Sequence, residues 1–397
     1  MSVLVAAPPT VAVRPPIATT RAVPWRRVLT AAAPGALFLA VGGLGVLILA
    51  WMSGLRGKPL NLHAWDGNWY LAIARHGYLG VDPSMADAYG HRTATTSMAF
   101  FPGYPLLVRA VAPLFAGDYL VAGVVVSTVA GVAAAYGLHR LARMVTGSDR
   151  AALLTVVMFA AAPMAIVYSM TYPQALLMAA TAWSLVGVME HRWLLAGSCA
   201  AVAGLVSPMG LPMIVVVMAT AGMAAFTGMD RMPHRPPMVA LLAAPAGMYG
   251  YLLWVAAQTG SIDGYLDVQR RGWGSGFDFG WSTAQWIVTT LVTDTAGFAV
   301  LTALFTLSAV ALLVLCARRL PWPVWTYAAV TVVFTVGSSG AVWDKVRLLL
   351  VGFPLLIPVA AGLVKRRGVA LLLPMIGLVA VGLWFSAYSL TVWTYSI

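Results

Sequence analysis

Residues 28–52 read VLTAAAPGALFLAVGGLGVLILAWM, a run with no charged side chain. About 20 such residues in a helix cross the hydrocarbon core of a bilayer, where a helix satisfies its own backbone hydrogen bonds. Ten more apolar runs follow, near 119–138, 151–168, 175–189, 193–206, 210–226, 238–258, 296–317, 322–337, 347–364 and 369–388. The stretch 193–226 also fits a re-entrant pair or one long kinked helix. Hydrophobic residues make up 61% of the chain and charged ones 9%, more apolar surface than a soluble domain can hide. The expected fold class is therefore an all-α polytopic membrane protein, a bundle of about eleven transmembrane helices.

N-terminal to the first span, residues 1–27 are rich in Pro and Ala and carry Arg14, Arg21, Arg26 and Arg27. They lack a signal peptide's charged-then-apolar order and read as a disordered cytoplasmic tail before a membrane domain over 28–397. With that end inside, 15 of the 24 Lys and Arg fall in short cytoplasmic segments, among them Arg140, Arg143, Arg150, Arg192, Arg231, Arg235, Arg318, Arg319 and the run 365–367. Only Asp149, Glu190 and Asp230 accompany them, as the positive-inside rule expects. The net charge of +12 is thus an orientation signal and a contact for membrane lipids, not a nucleic-acid footprint. Three extracytoplasmic loops remain, about 53–118, 259–295 and 338–346. No internal repeat is visible, which argues against transporters built from inverted halves. Cys199 and Cys316 lie in apolar runs and read as core residues, not a disulfide or metal pair.

The first outer loop holds the most distinctive chemistry: His63-Ala-Trp65-Asp66-Gly67-Asn68-Trp69-Tyr70, then Gly77-Tyr78, then Phe100-Phe101-Pro102-Gly103-Tyr104-Pro105. Ala64 to His76 forms an amphipathic helix in this reading, with Asp66, Trp69, Tyr70 and Ile73 on one face. The tryptophans also suit an aromatic belt at headgroup level. An anion set among Trp65, Trp69 and Tyr70 loses hydration and becomes a better base than a free surface carboxylate. Thr93 to Pro105 reads as a turn that returns the chain to the membrane, or as a wall for a lipid-linked substrate.

The pattern Trp-Asp-Gly-x-Trp-Tyr, Gly-Tyr and Phe-Phe-Pro-x-Tyr-Pro resembles the PIG-V-like mannosyltransferases, bacterial type, of the GT-C group of integral-membrane glycosyltransferases. Residues 269–279 (QRRGWGSGFDF) and 347–356 (RLLLVGFPLL) continue the likeness. The resemblance implies a GT-C-like bundle and transfer of mannose from a polyprenyl-phosphate donor to a glycolipid or related acceptor at the outer face of the plasma membrane. Asp66 maps to the family's base in the first outer loop. Two positions depart from the pattern: Tyr172-Pro173-Gln174 carries an amide where Tyr-x-Glu is expected, and Ser207-Pro208-Met209-Gly210 lacks the Arg that often precedes such a turn.

Elsewhere on the outer face, Arg270 and Arg271 suit a phosphate, since guanidinium matches its oxygens in pairs, and equally suit lipid headgroups. Gln269 and Trp273 are spaced to hold a sugar edge and face, or to anchor the interface. Asp344, Lys345 and Arg347 sit at the mouth of an apolar span, where ionisable groups are costly unless paired or functional. They read as a local ion pair or, for Arg347, as a second phosphate ligand. His63, His76 and His91 are not at metal-ligand spacing, and no Gly-rich nucleotide loop is present, so neither a cofactor nor a divalent metal is expected.

The mechanism expected is inverting: Asp66 takes the proton of an acceptor hydroxyl as it attacks the lipid-linked sugar. Trp65, Asn68, Tyr70, Tyr78, Phe100, Phe101 and Tyr104 shape the pocket, and Arg270, Arg271 or Arg347 holds the departing phosphate. A polyprenyl-phosphate pentose (arabinose-type) donor, a non-catalytic relative and a lipid transporter are the alternatives.

Overall fold

The computed structural model describes residues 24–82, 84–227, 237–293 and 296–395. The expected tail up to residue 23, and the cytoplasmic assignments of Asp230, Arg231 and Arg235, lie outside them. In chain order the helices are α1 (Pro24–Leu55), α2 (Asp66–His76), α3 (Gly103–Val111), α4 (Tyr119–Thr146), α5 (Asp149–Ala160), α6 (Gln174–Met189), α7 (Trp193–Val206), α8 (Leu211–Thr227) and α9 (Pro237–Ala243). Next come α10 (Ala246–Thr259), α11 (Gly264–Trp273), α12 (Trp281–Thr293), α13 (Gly297–Leu315), α14 (Trp322–Gly337), α15 (Lys345–Leu349), α16 (Leu356–Leu363) and α17 (Val369–Thr391). Of the described residues, those up to Ala33, the first turns of α1, form a separate small unit, and those from Pro34 onward form the other.

Among the described residues, seven apolar helical stretches are long enough to cross a membrane: Val28–Leu55, Tyr119–Thr146, Pro208–Ala225, Pro237–Thr259, Gly297–Leu315, Val342–Leu363 and Val369–Thr391. Gln174–Met189, Trp193–Val206 and Trp322–Gly337 are apolar but shorter. These ten match ten of the eleven expected spans. The eleventh, 151–168, is broken: α5 stops at Ala160, Pro163 follows, Met164 takes φ 69°, and a 3-10 turn covers Ala165–Ser169. Proline cannot continue the hydrogen-bond ladder and disfavours helix in the residue before it, which explains the break. The stretch 193–226 resolves as α7 and α8 joined at Ser207, whose hydroxyl accepts a hydrogen bond from Met209 N.

Helices in lipid gain little from the hydrophobic effect and associate by close packing of small residues. A Cβ added to Gly187 in α6 would stand 2.7 Å from the Ala196 backbone nitrogen in α7, and one on Gly197 would stand 2.7 Å from Ala240 Cα in α9. Two apolar clusters result. The larger fills the bundle around Phe159, Tyr168, Trp193 and Tyr327. A smaller one lies under the first loop and joins Trp69, Tyr70, Ile73, Phe100, Tyr104 and Val126.

The three loops assigned to one side by charge counting are joined pairwise. Ala88 N donates to Gly272 O at 3.0 Å, linking the first loop to the second. An antiparallel bridge between Phe277 and Ser338, with Ser339 N donating to Gly276 O at 2.9 Å, links the second to the third. The first loop meets Arg347, the residue just beyond the third, through Asp66.

Candidate active site

Asp66 opens α2, and the segment before it is clamped to residues 171–172. Thr171 N donates to Leu62 O at 2.9 Å, and the Tyr172 hydroxyl donates to Ala64 O at 2.8 Å. The clamp holds Trp65 at φ 57°, ψ −121°, a conformation costly for a residue with a side chain. Gly67 is required next: a Cβ there would meet the Thr171 hydroxyl at 2.8 Å and the Tyr172 ring at 3.3 Å. The close seat of α2 on this segment aims the Asp66 carboxylate inward.

It meets Arg347. Arg347 Nη1 donates to Asp66 Oδ2 at 2.7 Å, and Nη2 reaches Asp344 Oδ2 at 3.5 Å. The guanidinium lies over the Tyr172 ring, 5.4 Å from its centroid, where a desolvated cation–π contact adds to the charge pairing. The Arg347 side chain is 8% exposed, that of Asp344 13% and that of Asp66 27%, so the network is rooted in the protein and opens at Asp66. Arg347 Nε is buried without a hydrogen-bond partner. The sequence suggested an Asp66 activated by stranding among aromatics; instead its charge is compensated by a cation from the other end of the chain. The local pair expected of Asp344 with Lys345 or Arg347 forms with Arg347.

Lys345 points elsewhere. It is buried, and Nζ donates to Thr335 O at 2.9 Å, to Val336 O at 3.4 Å and to Ser338 O. These are the last carbonyls around the end of α14, which have no intrahelical donor. Nearby, Asp278 accepts from Gly280 N, Ser282 N and the Ser282 hydroxyl. Those bonds, the hydroxyl's foremost, hold its carboxyl below the usual range.

The remaining candidates divide by exposure. Trp65 and Asn68 are open to solvent beside Asp66, and Asn68 Oδ1 is 2.6 Å from His63 Nδ1. Tyr70, Phe100, Phe101 and Tyr104 are buried in packing. Tyr104 bonds Gly123 O and the Ser127 hydroxyl, each at 2.9 Å. Tyr78 donates to Phe100 O at 2.7 Å. Burial, with the charge of Asp66 adding, pushes the phenols of Tyr70 and Tyr172 up, so both stay neutral beside the ion pair. Gln269 bonds Ala99 O at 2.9 Å and the Tyr265 hydroxyl at 3.0 Å, and Trp273 packs edge-on against Phe100. Arg270 pairs with Asp267 at 2.8 Å and Arg271 approaches it at 3.8 Å, on the surface of α11. The carboxylate these arginines meet is Asp267, whereas the one Arg347 meets is Asp66.

Sequence reasoning passed over two contributors. Tyr172 carries both the clamp and the ring under Arg347, and its one signal was its place in the Tyr-Pro-Gln triplet. Tyr251, in α10, donates to Met98 O at 2.7 Å and Phe100 O at 2.9 Å and so ties the aromatic turn to the bundle; nothing in its surroundings marked it. Gln174 is buried with Oε1 unpartnered. Beyond Val336, which also holds Lys345, an apolar groove of about 300 Å³ runs between α12, α13 and α14, lined by Thr283, Ile287, Val288, Leu307 and Val310. Among the described residues no three His, Cys, Asp or Glu converge as a metal cluster would.

No family model and no curated protein matches this chain. Solved structures do. ArnT from Cupriavidus metallidurans bound to undecaprenyl phosphate is similar with a TM-score of 0.53 at 16% identity, over 88% of this chain and 64% of that one. The Archaeoglobus fulgidus oligosaccharyltransferase gives 0.50 at 14% identity in complex with Zn and sulfate, over 88% of this chain and 53% of that one. Its apo form gives 0.51 at 13% identity, over 89% and 56%. The chain therefore spans between about half and two thirds of the structures it resembles. At these identities the likeness is one of fold: this chain is an all-α, GT-C-like bundle with several apolar helices long enough to span a membrane.

Proposed function

We propose that the chain is a glycosyltransferase that moves mannose from a polyprenyl-phosphate carrier to the hydroxyl of a glycolipid or related glycan at the extracytoplasmic face. The observation that carries this reading is the Asp66–Arg347 pair, rooted in the bundle and open at Asp66, in a fold shared with GT-C glycosyltransferases. Asp66 Oδ2 is held by Arg347, which leaves Oδ1 to receive a proton.

In the reaction the acceptor oxygen attacks the anomeric carbon while its proton passes to Asp66. The bond from that carbon to the phosphate oxygen breaks, its electron pair leaves with polyprenyl phosphate, and direct displacement inverts the centre. Positive charge fixed beforehand near a departing phosphate lowers the barrier without reorganisation. Arg347 is suited to this, because its fixed charge stands directly beside Asp66, where the network opens. Exposed Trp65 and Asn68 flank the carboxylate as sugar contacts. The apolar groove between α12 and α14 suits a polyprenyl chain. A neighbour bound to undecaprenyl phosphate supports a carrier of that class. Mannose itself rests on the first-loop motif.

The test is transfer of labelled mannose from polyprenyl phosphate-mannose into a mixed membrane-lipid extract by purified protein, beside Asp66→Asn. The wild type is expected to label a glycolipid and the variant to fall by at least about a hundredfold, the share of a general base. Near wild-type turnover by the variant would remove Asp66 from that role. Transfer only from a polyprenyl-phosphate arabinose would reassign the sugar. Transfer from neither would mark a non-catalytic relative.

A further inference from the structure

The end of the bundle away from Asp66 carries a cleft of about 480 Å³ between α5 and the turn that joins α16 to α17. Arg150, Lys365, Arg366 and Arg367 ring it, and Leu154 and Leu371 lie on its floor. All four cations are exposed, and none has an ion pair among the described residues. Their neighbours differ. Arg140 pairs with Glu190 at 2.6 Å, and Asp149, next to Arg150 in sequence, turns its oxygen to His139 at 3.2 Å and Arg143 at 3.5 Å. The described acids at this end, Asp149 and Glu190, are thus used on other partners, and the four cations around the cleft are left to repel one another.

Arg150 lies in the first turn of α5, and the run 365–367 joins the carboxyl end of α16 to the amino end of α17. At the latter, Gly368 has no side chain to cap the N–H groups, and a helix amino end of this kind favours an anion. The lining is apolar at Leu153, Leu154 and Leu371, and α17 exposes Leu372 and Leu373 in the same turn. A ligand that satisfies both halves has a multiply charged anionic head and a hydrocarbon body. We propose that the cleft binds an anionic phospholipid whose headgroup carries two phosphates, with its acyl chains along α17. The assignment rests on this cleft alone and is independent of the sugar-transfer reading.

The experiment is native mass spectrometry of the purified full-length protein in detergent, titrated with cardiolipin, phosphatidylglycerol, phosphatidylcholine or inorganic pyrophosphate. Cardiolipin should be retained in preference to the other three. Two doubles, Arg150→Gln with Arg366→Gln and Lys365→Gln with Arg367→Gln, should each weaken its retention about tenfold or more, the scale of two near-surface cations on an anionic headgroup. Arg318→Gln with Arg319→Gln, equal in charge and outside the cleft, should stay within about twofold. Equal losses in all three doubles would overturn the proposal in favour of diffuse surface charge. Equal retention of phosphatidylcholine would overturn it as hydrocarbon binding alone. Pyrophosphate bound as tightly as cardiolipin would make the ligand a soluble anion.

Discussion

Arg347 and the pair Arg270–Arg271 looked alike in sequence, as guanidinium groups at the mouth of a membrane domain, and the fold treats them in opposite ways. Arg347 is 8% exposed and bridges two carboxylates over an aromatic ring. Arg270 and Arg271 are 60% and 85% exposed and share one carboxylate on their own helix. In water an ion pair mostly trades one hydration for another, whereas in a dry setting a charge without its partner is costly. Depth, not residue type, decides which guanidinium is built into the molecule.

The strongest way to break this contrast is Arg347→Met, which leaves Asp66 and Asp344 together without their cation. It should abolish transfer and destabilise the protein by about 3–5 kcal/mol in thermal unfolding. Adding Asp66→Asn to it should return part of that stability and none of the activity. A double variant no more stable than Arg347→Met would show that the burial of charge is not what the pair answers. Lys345→Met, two residues away, removes donors from the carbonyls of 335, 336 and 338. A loss of about 1–3 kcal/mol is expected, with a smaller fall in transfer than at Arg347, which kinetics and melting of one sample would separate.

Gly67→Ala probes position without touching charge. Its Cβ would press on Thr171 and Tyr172, so α2 must shift, at about 1–3 kcal/mol. Transfer should fall while the charges remain; unchanged activity would mean that the clamp does not set the carboxylate. Asp278 gives a pH test. Its folded value is depressed, so its contribution is present above the unfolded value near 3.8 and is lost as pH falls through the folded one. The melting temperature should drop on acidification below about pH 4, and Asp278→Asn should flatten that limb. The smallest effect belongs to Arg270→Gln with Arg271→Gln, under about 1 kcal/mol. A loss of transfer as deep as at Arg347 would place these surface arginines on the substrate after all.

The spans were legible because a lipid-facing helix must be apolar along its length, and ten of the eleven runs appear as expected. The run 151–168 misled because its hydropathy continues through Pro163, where the backbone does not. Asp66 and Arg347 each stood out as ionisable groups at the edge of apolar sequence. Their pairing did not, because nothing local records a contact across 281 residues. Phe101 and Tyr104 were legible as part of a motif, but aromatic letters do not say whether a ring faces a substrate or, like these two, the core. Gln269 likewise bonds a backbone carbonyl in the first loop, a use that helix spacing alone cannot distinguish from holding a sugar.

The distance along the chain between Asp66 and its guanidinium has a consequence for biogenesis. A nascent chain inserts its helices in order, so the first loop and its carboxylate are made long before residue 347 leaves the ribosome. Until α15 follows, Asp66 lacks the counter-ion it has in the folded chain. An N-terminal fragment released early would carry the first-loop motif without Arg347, so the proposed centre can form only once the chain has reached α15.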